Sequence, residues 1–234
     1  MQILNLEFGL VIFDCDGVLV DSEVISCRTH AEMLTRHGYP ISTEQVHDRF
    51  LGRSSRDARL EIERELGRAF PDDLDVQLKA ELYRSFAATL EAIPSIEQAL
   101  AGVSHPVCVA SSGSPERIRT SLTLVNLYHR FAPNIFSAAQ VSNGKPAPDL
   151  FLFAAAQMQV APDRCLVIED SVPGVIAARA ADMTVLGFHG GSHCRPATAT
   201  TLRAAGATAT FDDMRQLPAL IDQIARDLVP AGAA

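Results

Sequence analysis

The 234-residue chain contains no tryptophan, and only 6% of its residues are aromatic. Its five cysteines are scattered and form no C-x-x-C pair. That usage is typical of reduced thiols, so it argues against a disulfide framework or a zinc site and favours a cytoplasmic location. No apolar run approaches the roughly 18 residues of a membrane span, and no basic segment precedes an apolar stretch at the N-terminus. Neither a membrane partner nor a secretory signal is therefore predicted.

Positive charge is also scarce, since 20 Lys and Arg face 28 Asp and Glu for a net charge of −8. Such a surface repels nucleic acid, so no nucleic-acid partner is predicted. With 47% hydrophobic residues the chain can pack a core, which excludes disorder throughout its length. An anionic small molecule would have to be attracted by local positive groups.

Short apolar runs alternate with helical stretches in most of the chain. The predicted strands are residues 8–13, 106–110, 165–168, 184–188 and about 207–210. Runs of this length, bounded by Gly, Asp or Ser, suit strands that are buried on both faces of a parallel sheet. Strands and helices in alternation predict an α/β fold with a doubly wound, Rossmann-like parallel sheet.

Residues 20–92 break this alternation, because they contain four apolar patterns at helical spacing and no convincing strand. We therefore expect residues 1–19 and 93–234 to form a catalytic core and residues 20–92 to form an all-helical cap domain. Ligands of such sheets bind beyond the carboxyl ends of the strands, where the cap is expected to lie.

Two aspartates, Asp14 and Asp16, directly follow the first predicted strand and precede Gly17. Ionised carboxylates do not stand at the end of a buried strand without a cation or partner, which argues against an ordinary acidic turn. Glu169 and Asp170 follow a later strand in the same way. Carboxylates that converge at strand ends suit Mg²⁺. For Glu169, direct metal binding, binding through water and orientation of its neighbours all remain open.

Small residues follow the second strand, where Ser111, Ser112 and Gly113 precede Ser114, the predicted N-cap of a helix. The backbone N–H groups and the helix dipole at such a turn attract an anion. Lys145 lies in a loop whose two following prolines keep the chain extended. The lysine is either a phosphate-binding cation or an ordinary surface charge.

In this order, Asp14-x-Asp16-Gly17, Ser111, Lys145-Pro and Glu169-Asp170 resemble the motifs of the haloacid dehalogenase superfamily over essentially the whole chain. The chain resembles the β-phosphoglucomutase-like branch, which inserts a helical cap after the first strand. The stretches DCDGVLVDSEVI and EDSVPG are particularly similar to the 6-phosphogluconate phosphatase group.

The resemblance implies a Mg²⁺-dependent phosphatase that hydrolyses a small phosphorylated sugar or sugar acid, the one partner predicted. Asp14 would be the nucleophile that forms an aspartyl-phosphate. Asp16 would protonate the leaving oxygen and then activate water. Mg²⁺ would be held by Asp14, Asp170 and the backbone carbonyl of Asp16, with Glu169 as a further candidate.

The resemblance also implies two groups of substrate-binding residues. The phosphate would be bound and its charge neutralised by Ser111, Ser112, Gly113 and Lys145. The cap candidates are Glu23 at the hinge, and Gly52, Arg53 and Arg56 at a bend between two helices. A guanidinium there can clamp a second anion, such as the carboxylate of a sugar acid. A solvated helix face remains the alternative for both arginines.

Two other functions stay open. A phosphosugar mutase of the β-phosphoglucomutase type carries a histidine on the first cap helix, where this chain has Ser26, and this departure favours hydrolysis. A non-enzymatic binding protein would have no need of all four motifs together.

We expect a monomer or a weak homodimer. His189 and His193 are interpreted as part of a loop near the active-site mouth, and Cys15 as a small buried residue.

Overall fold

The structure of the protein is a computed structural model that describes residues 8–50 and 55–227. It divides into two units: a core unit made of Met1–Val20 and Ala92–Ala234, and a helical unit made of Asp21–Glu91. Within the described residues, no helix combines the length and apolar character that crossing a membrane requires.

Six parallel strands form the sheet of the core unit in the order β3-β2-β1-β4-β5-β6. They are β1 Leu10–Phe13, β2 Val107–Ser111, β3 Ile135–Ser137, β4 Cys165–Glu169, β5 Thr184–Phe188 and β6 Ala209–Phe211. The predicted α/β class with a doubly wound parallel sheet is confirmed. Because β1 lies between β2 and β4, the chain segments that follow these three strands lie side by side at the carboxyl end of the sheet.

The central strands form because most of their residues are apolar and both of their faces are buried. All four residues of β1 and all five of β4 are buried. The register pairs Phe13 with Val109 on one side and with Ile168 on the other. Asp14, the first residue after β1, is therefore level with Glu169, the last residue of β4.

Helices cover the sheet. In the core unit they are α5 Ile96–Gly102, α6 Pro115–Leu124, α7 Tyr128–Phe131, α8 Asp149–Gln157, α9 Val172–Ala180, α10 Thr198–Ala204 and α11 Leu217–Asp227. Leu150 and Phe151 of α8 and Val175 of α9 belong to the same buried cluster as Ile12 and Val167. Burial of a Leu, Val or Phe side chain stabilises the fold by about 1.5–3 kcal/mol.

Strand β3 is absent from the five strands that the sequence predicts. Only three residues form it, and Ile135 is half-buried. A run of three residues is too short to show a period, so only its pairing with β2 defines it as a strand.

The helical unit has helices α1 Glu23–Arg36, α2 Thr43–Phe50, α3 Ser55–Leu66 and α4 Leu74–Thr89. One of its apolar clusters consists of Met33, Tyr39, Ile62, Phe70 and Leu74. Ion pairs lie at its surface, including Arg59 Nε with Glu63 Oε1 at 2.9 Å and Arg49 Nη2 with Glu61 Oε1 at 2.9 Å.

The two chain segments that join the units run next to each other. Val20 pairs with Ala92 as an isolated antiparallel bridge. On the core side, Ile93 N donates to Leu19 O at 3.0 Å. On the helical side, Asp21 N donates to Glu91 O at 2.9 Å.

Candidate active site

The carboxyl ends of β1 and β4 bring three carboxylates together. Asp14 follows β1, Glu169 ends β4 and Asp170 follows it, and all three are buried. One carboxylate oxygen from each lies within 4.8 Å of the others. We call these three residues the acidic cluster. Buried negative charges at this separation repel strongly unless a cation lies with them, and carboxylate oxygens suit a hard divalent ion. The acidic cluster can therefore hold a metal ion.

Lys145 crosses from its loop to the acidic cluster. Its Nζ donates to Asp14 Oδ1 at 2.7 Å, to Glu169 Oε1 at 2.6 Å and to Ala110 O at 3.1 Å. The side chain is only 5% exposed, so the interpretation of Lys145 as a surface charge is wrong. Its ammonium also lies 4.9 Å from the centroid of the Phe151 ring.

Burial and charge act in opposite directions on these groups. Burial raises the pKa of Asp14 well above its ordinary value, against the lowering effect of the Lys145 charge. Burial alone would lower the pKa of Lys145, but the negative charges of Asp14 and Glu169 outweigh it and raise that pKa. Lys145 is therefore an ammonium ion at neutral pH.

Glu169 has hydrogen bonds to both of its carboxylate oxygens. Oε1 accepts from Lys145, and Oε2 accepts from the backbone N of Ser171 at 2.9 Å and from its Oγ at 2.8 Å. Ser171 is also the N-cap of α9, since its Oγ accepts from Gly174 N. These contacts favour the interpretation that Glu169 orients its neighbours.

The loop after β2 takes the predicted form. Ser114 is the N-cap of α6, its Oγ accepts from Arg117 N at 3.2 Å, and Pro115 is the first helical residue. Ser111 is buried, and its Oγ accepts from Gly113 N at 3.1 Å. Ser137 Oγ donates to Gly113 O at 2.6 Å, which ties the loop to the end of β3. Ser112, the remaining loop residue predicted to bind phosphate, is exposed.

The carboxylate of Asp16 contacts an arginine. Its Oδ1 accepts from Arg117 Nη2 at 2.9 Å, and Arg117 lies in the first turn of α6. Between the two aspartates, Cys15 is fully buried, and burial raises the pKa of its thiol well above the ordinary value. The thiol is therefore protonated at neutral pH and is not an activated nucleophile.

His193 donates through Nε2 to Asp170 Oδ2 at 3.0 Å, and its side chain is 7% exposed. Burial alone would lower the pKa of His193, but the hydrogen bonds to Asp170 and Cys194 raise it to about 11. Burial raises the pKa of Asp170, and the hydrogen bond from His193 opposes this rise. Through its contact with Asp170, the histidine belongs to the site.

Sequence reasoning missed Arg117 and gave His193 only a place in a loop. A partial signal existed for each. Arg117 stands three residues after the N-cap Ser114, in the turn that faces the carboxyl end of β2, and His193 follows β5 by five residues. The contact between Arg117 and Asp16 could not be predicted, because the two residues are 101 positions apart in the sequence.

The cap residues predicted to bind substrate are only partly described. Gly52 and Arg53 lie outside the described residues, and Arg56 lies in α3 with its side chain outside them. Glu23 is the first residue of α1 in the helical unit. Their roles stay predictions.

Comparison with known proteins agrees with this geometry. The family model of haloacid dehalogenase-like hydrolases matches residues 8–182. The chain belongs to this family, as its motifs predict. A relative from Escherichia coli K12, 6-phosphogluconate phosphatase, is 32% identical over 211 residues, which are 90% of this chain and 93% of that protein. The chain is, within the family, a phosphoric monoester hydrolase.

Two solved structures show the same fold. A haloacid dehalogenase-like protein of unknown function from Agrobacterium tumefaciens C58 is 41% identical, with a TM-score of 0.83 over 93% of this chain and 99% of that one. A putative β-phosphoglucomutase from Thermotoga maritima is 25% identical, with a TM-score of 0.74 over 92% of this chain and 99% of that one. The resemblance to the β-phosphoglucomutase-like branch is thereby confirmed.

Proposed function

We propose that the protein hydrolyses the phosphate ester of a small sugar or sugar acid, such as 6-phosphogluconate, through an aspartyl-phosphate on Asp14. The observation that carries this proposal is the contact of Lys145 Nζ with Asp14 inside the acidic cluster. A buried carboxylate beside a fixed ammonium ion is a nucleophile that can approach a phosphate dianion, because the positive charge offsets the repulsion between them.

The reaction has two displacements. An oxygen of Asp14 attacks phosphorus, the bond from phosphorus to the sugar oxygen breaks, and Asp16 gives its proton to that oxygen. A water molecule then attacks the phosphorus of the aspartyl-phosphate while Asp16 takes a proton from it. The bond from phosphorus to Asp14 breaks, so phosphate leaves and both aspartates return to their starting states.

The donor set of the acidic cluster fits Mg²⁺. Asp14, Asp170 and the backbone carbonyl of Asp16 would hold the ion, whereas Glu169 uses both of its oxygens for Lys145 and Ser171. When bound, the ion supplies positive charge against the phosphoryl group in transfer. Lys145 and the Ser111 loop bind the same group from the protein side.

We further propose that the helical unit is the cap domain that selects the substrate, with Glu23, Gly52, Arg53 and Arg56 as its candidate residues. The name of the 32% identical relative supports a sugar acid as the substrate class. If Arg53 binds the second anion, Arg53→Ala should raise KM for 6-phosphogluconate, which has a carboxylate, more than KM for glucose 6-phosphate, which has none. Equal changes in the two KM values would remove Arg53 from this role.

The test of the proposed function is phosphate release from a panel of phosphorylated sugars, sugar acids and nucleotides, with Mg²⁺ and with EDTA. We expect metal-dependent release from sugar or sugar-acid phosphates, and none from the folded variant Asp14→Asn. The likeness to the putative β-phosphoglucomutase from Thermotoga maritima favours a mutase as the second candidate. A mutase would interconvert sugar phosphates without net phosphate release, and that result would contradict the hydrolase.

A further inference from the structure

Arg117 forms an ion pair with the aspartate that carries the proton transfers of the proposed reaction. Its Nη2 lies 2.9 Å from Oδ1 of Asp16, and the two side chains are 22% and 13% exposed. Partial burial removes much of the water that would compete for the contact, so a charge-assisted hydrogen bond of this length holds the carboxyl group firmly.

Both ends of this ion pair are fixed by the backbone. Asp16 lies in a tight turn after β1, in which Cys15 O accepts from Leu19 N at 2.9 Å and from Val20 N at 3.1 Å. On the other side, Arg117 N donates to Ser114 Oγ, which anchors the first turn of α6. A long side chain on a fixed helical turn therefore reaches a short side chain on a fixed loop.

The other carboxylates of the site have different cationic partners. Lys145 contacts Asp14 and Glu169, and His193 contacts Asp170. Arg117 is thus assigned to a carboxylate outside the acidic cluster. The side chain of Asp16 is the one that carries the proton transfers of the proposed reaction, so its contact with Arg117 favours a role in proton transfer.

We propose that Arg117 is a positioning residue that holds Asp16 in the orientation needed for its acid and base steps. This inference rests on the proposed function. Arg117 contacts Oδ1. A carboxyl group exchanges a proton through one oxygen and accepts hydrogen bonds in both its neutral and its ionised form, so this contact is compatible with the acid step and with the base step. A misplacement of about 1 Å in a catalytic group costs on the order of 10²-fold in rate.

The experiment compares two substrates that differ in their need for an acid. A sugar alkoxide is a poor leaving group and must be protonated, whereas the nitrophenolate of p-nitrophenyl phosphate leaves without a proton. We would measure kcat/KM, which covers steps up to leaving-group departure, for 6-phosphogluconate or the most active sugar phosphate of the panel and for p-nitrophenyl phosphate. The variants are Arg117→Met, which keeps side-chain bulk without charge, and Arg117→Lys.

We expect Arg117→Met to lower kcat/KM for the sugar phosphate by about 10²-fold and that for p-nitrophenyl phosphate by only a few-fold. Arg117→Lys should recover at least about tenfold of this loss, since its ammonium can contact the same oxygen. The matched control is Arg119→Met, because Arg119 is an exposed arginine of the same helix that lies over the Tyr128 ring. The control should leave both substrates unchanged.

Losses of equal size for the two substrates would overturn the inference, since phosphate binding or a purely structural role affects both alike. Unchanged rates in Arg117→Met would overturn it as well. If the wild-type protein releases phosphate from neither substrate, the proposed function fails and the inference falls with it. Phosphate release by the wild-type protein therefore distinguishes failure of the inference about Arg117 from failure of the proposed function.

Discussion

Gly17 and Asp170 are packed so closely that a β-carbon on Gly17 would overlap Oδ2 of Asp170. The same atom would lie 2.9 Å from Cε1 of His193. Gly17 also has a φ of +79°, which favours glycine. The loop after β1 thus approaches the end of β4 through a position where a side chain does not fit.

Gly17→Ala is therefore expected to displace Asp170 and to reduce kcat by about 10²-fold or more. Gly67→Ala is the matched control, since Gly67 has a φ of +67° and no atom within 4 Å of the position of its β-carbon. Both variants carry the cost of a left-handed backbone, about 1–2 kcal/mol. Thermal unfolding should detect both variants, whereas only Gly17→Ala should lose activity. Full activity of Gly17→Ala would show that the site tolerates a shift of Asp170.

Lys145→Met removes the cation between Asp14 and Glu169. We expect loss of activity and destabilisation of the metal-free protein by about 3–5 kcal/mol, because two buried carboxylates lose their partner. Denaturant unfolding measures the effect. Lys79→Met is the control, because Lys79 is the other lysine of the chain and is exposed. It should change stability by no more than about 0.5 kcal/mol. Wild-type stability of Lys145→Met would mean that Lys145 does not stabilise the metal-free cluster.

Asp170→Asn keeps the shape of the side chain and removes its charge. Titration calorimetry with Mg²⁺ and no substrate should show an affinity at least about tenfold weaker than that of the wild type. Asp163→Asn, an exposed aspartate just before β4, should bind Mg²⁺ like the wild type. An unchanged affinity in Asp170→Asn would place the ion elsewhere.

Glu63 makes the helical unit sensitive to acid. The hydrogen bonds from Phe70 N and from Arg59 lower the pKa of its carboxyl group. The ionised form therefore stabilises the folded state. This stabilisation is complete at pH values above the pKa of the carboxyl group in the unfolded chain, about 4.3. That gain is lost as pH falls through the lowered folded pKa. Glu63→Gln should have a lower Tm than the wild type at pH 7, and the difference should vanish in acid.

The control for this prediction is Glu32→Gln, whose parent residue is half-exposed and lies 3.9 Å from Arg36. An exposed pair at that distance contributes little, so the Tm of this variant should follow the wild type across the pH range. A Tm difference in Glu63→Gln that persists unchanged at low pH would show that the carboxylate charge is not its cause.

Much of the fold could be predicted because burial leaves a pattern in the sequence. The central strands are continuous apolar runs, and the four helices of the helical unit lie within residues 20–92, where the sequence has helical spacing and no convincing strand. The residues of the acidic cluster could be placed at strand ends because parallel strands align their carboxyl ends. Strand β3 is too short to leave such a pattern.

Contacts between distant residues could not be predicted in this way. Arg117 and His193 carry ordinary side chains in ordinary positions, and only the folded chain shows that they contact Asp16 and Asp170. Even Lys145, which the motif order singles out, left its partners open until the distances to Asp14 and Glu169 were known. The local sequence predicts which strand or loop carries a side chain, whereas the partner of that side chain depends on the tertiary structure.

The bridge between Val20 and Ala92 has a consequence for how this enzyme can diversify. Since the inserted segment leaves and re-enters the core at adjacent points, its removal or replacement leaves a gap that a tight turn can close. Recombination can thus replace the inserted segment while the six-stranded sheet and its reactive groups stay unchanged. Selection for activity on new substrates can then change the helical unit without changing the core unit.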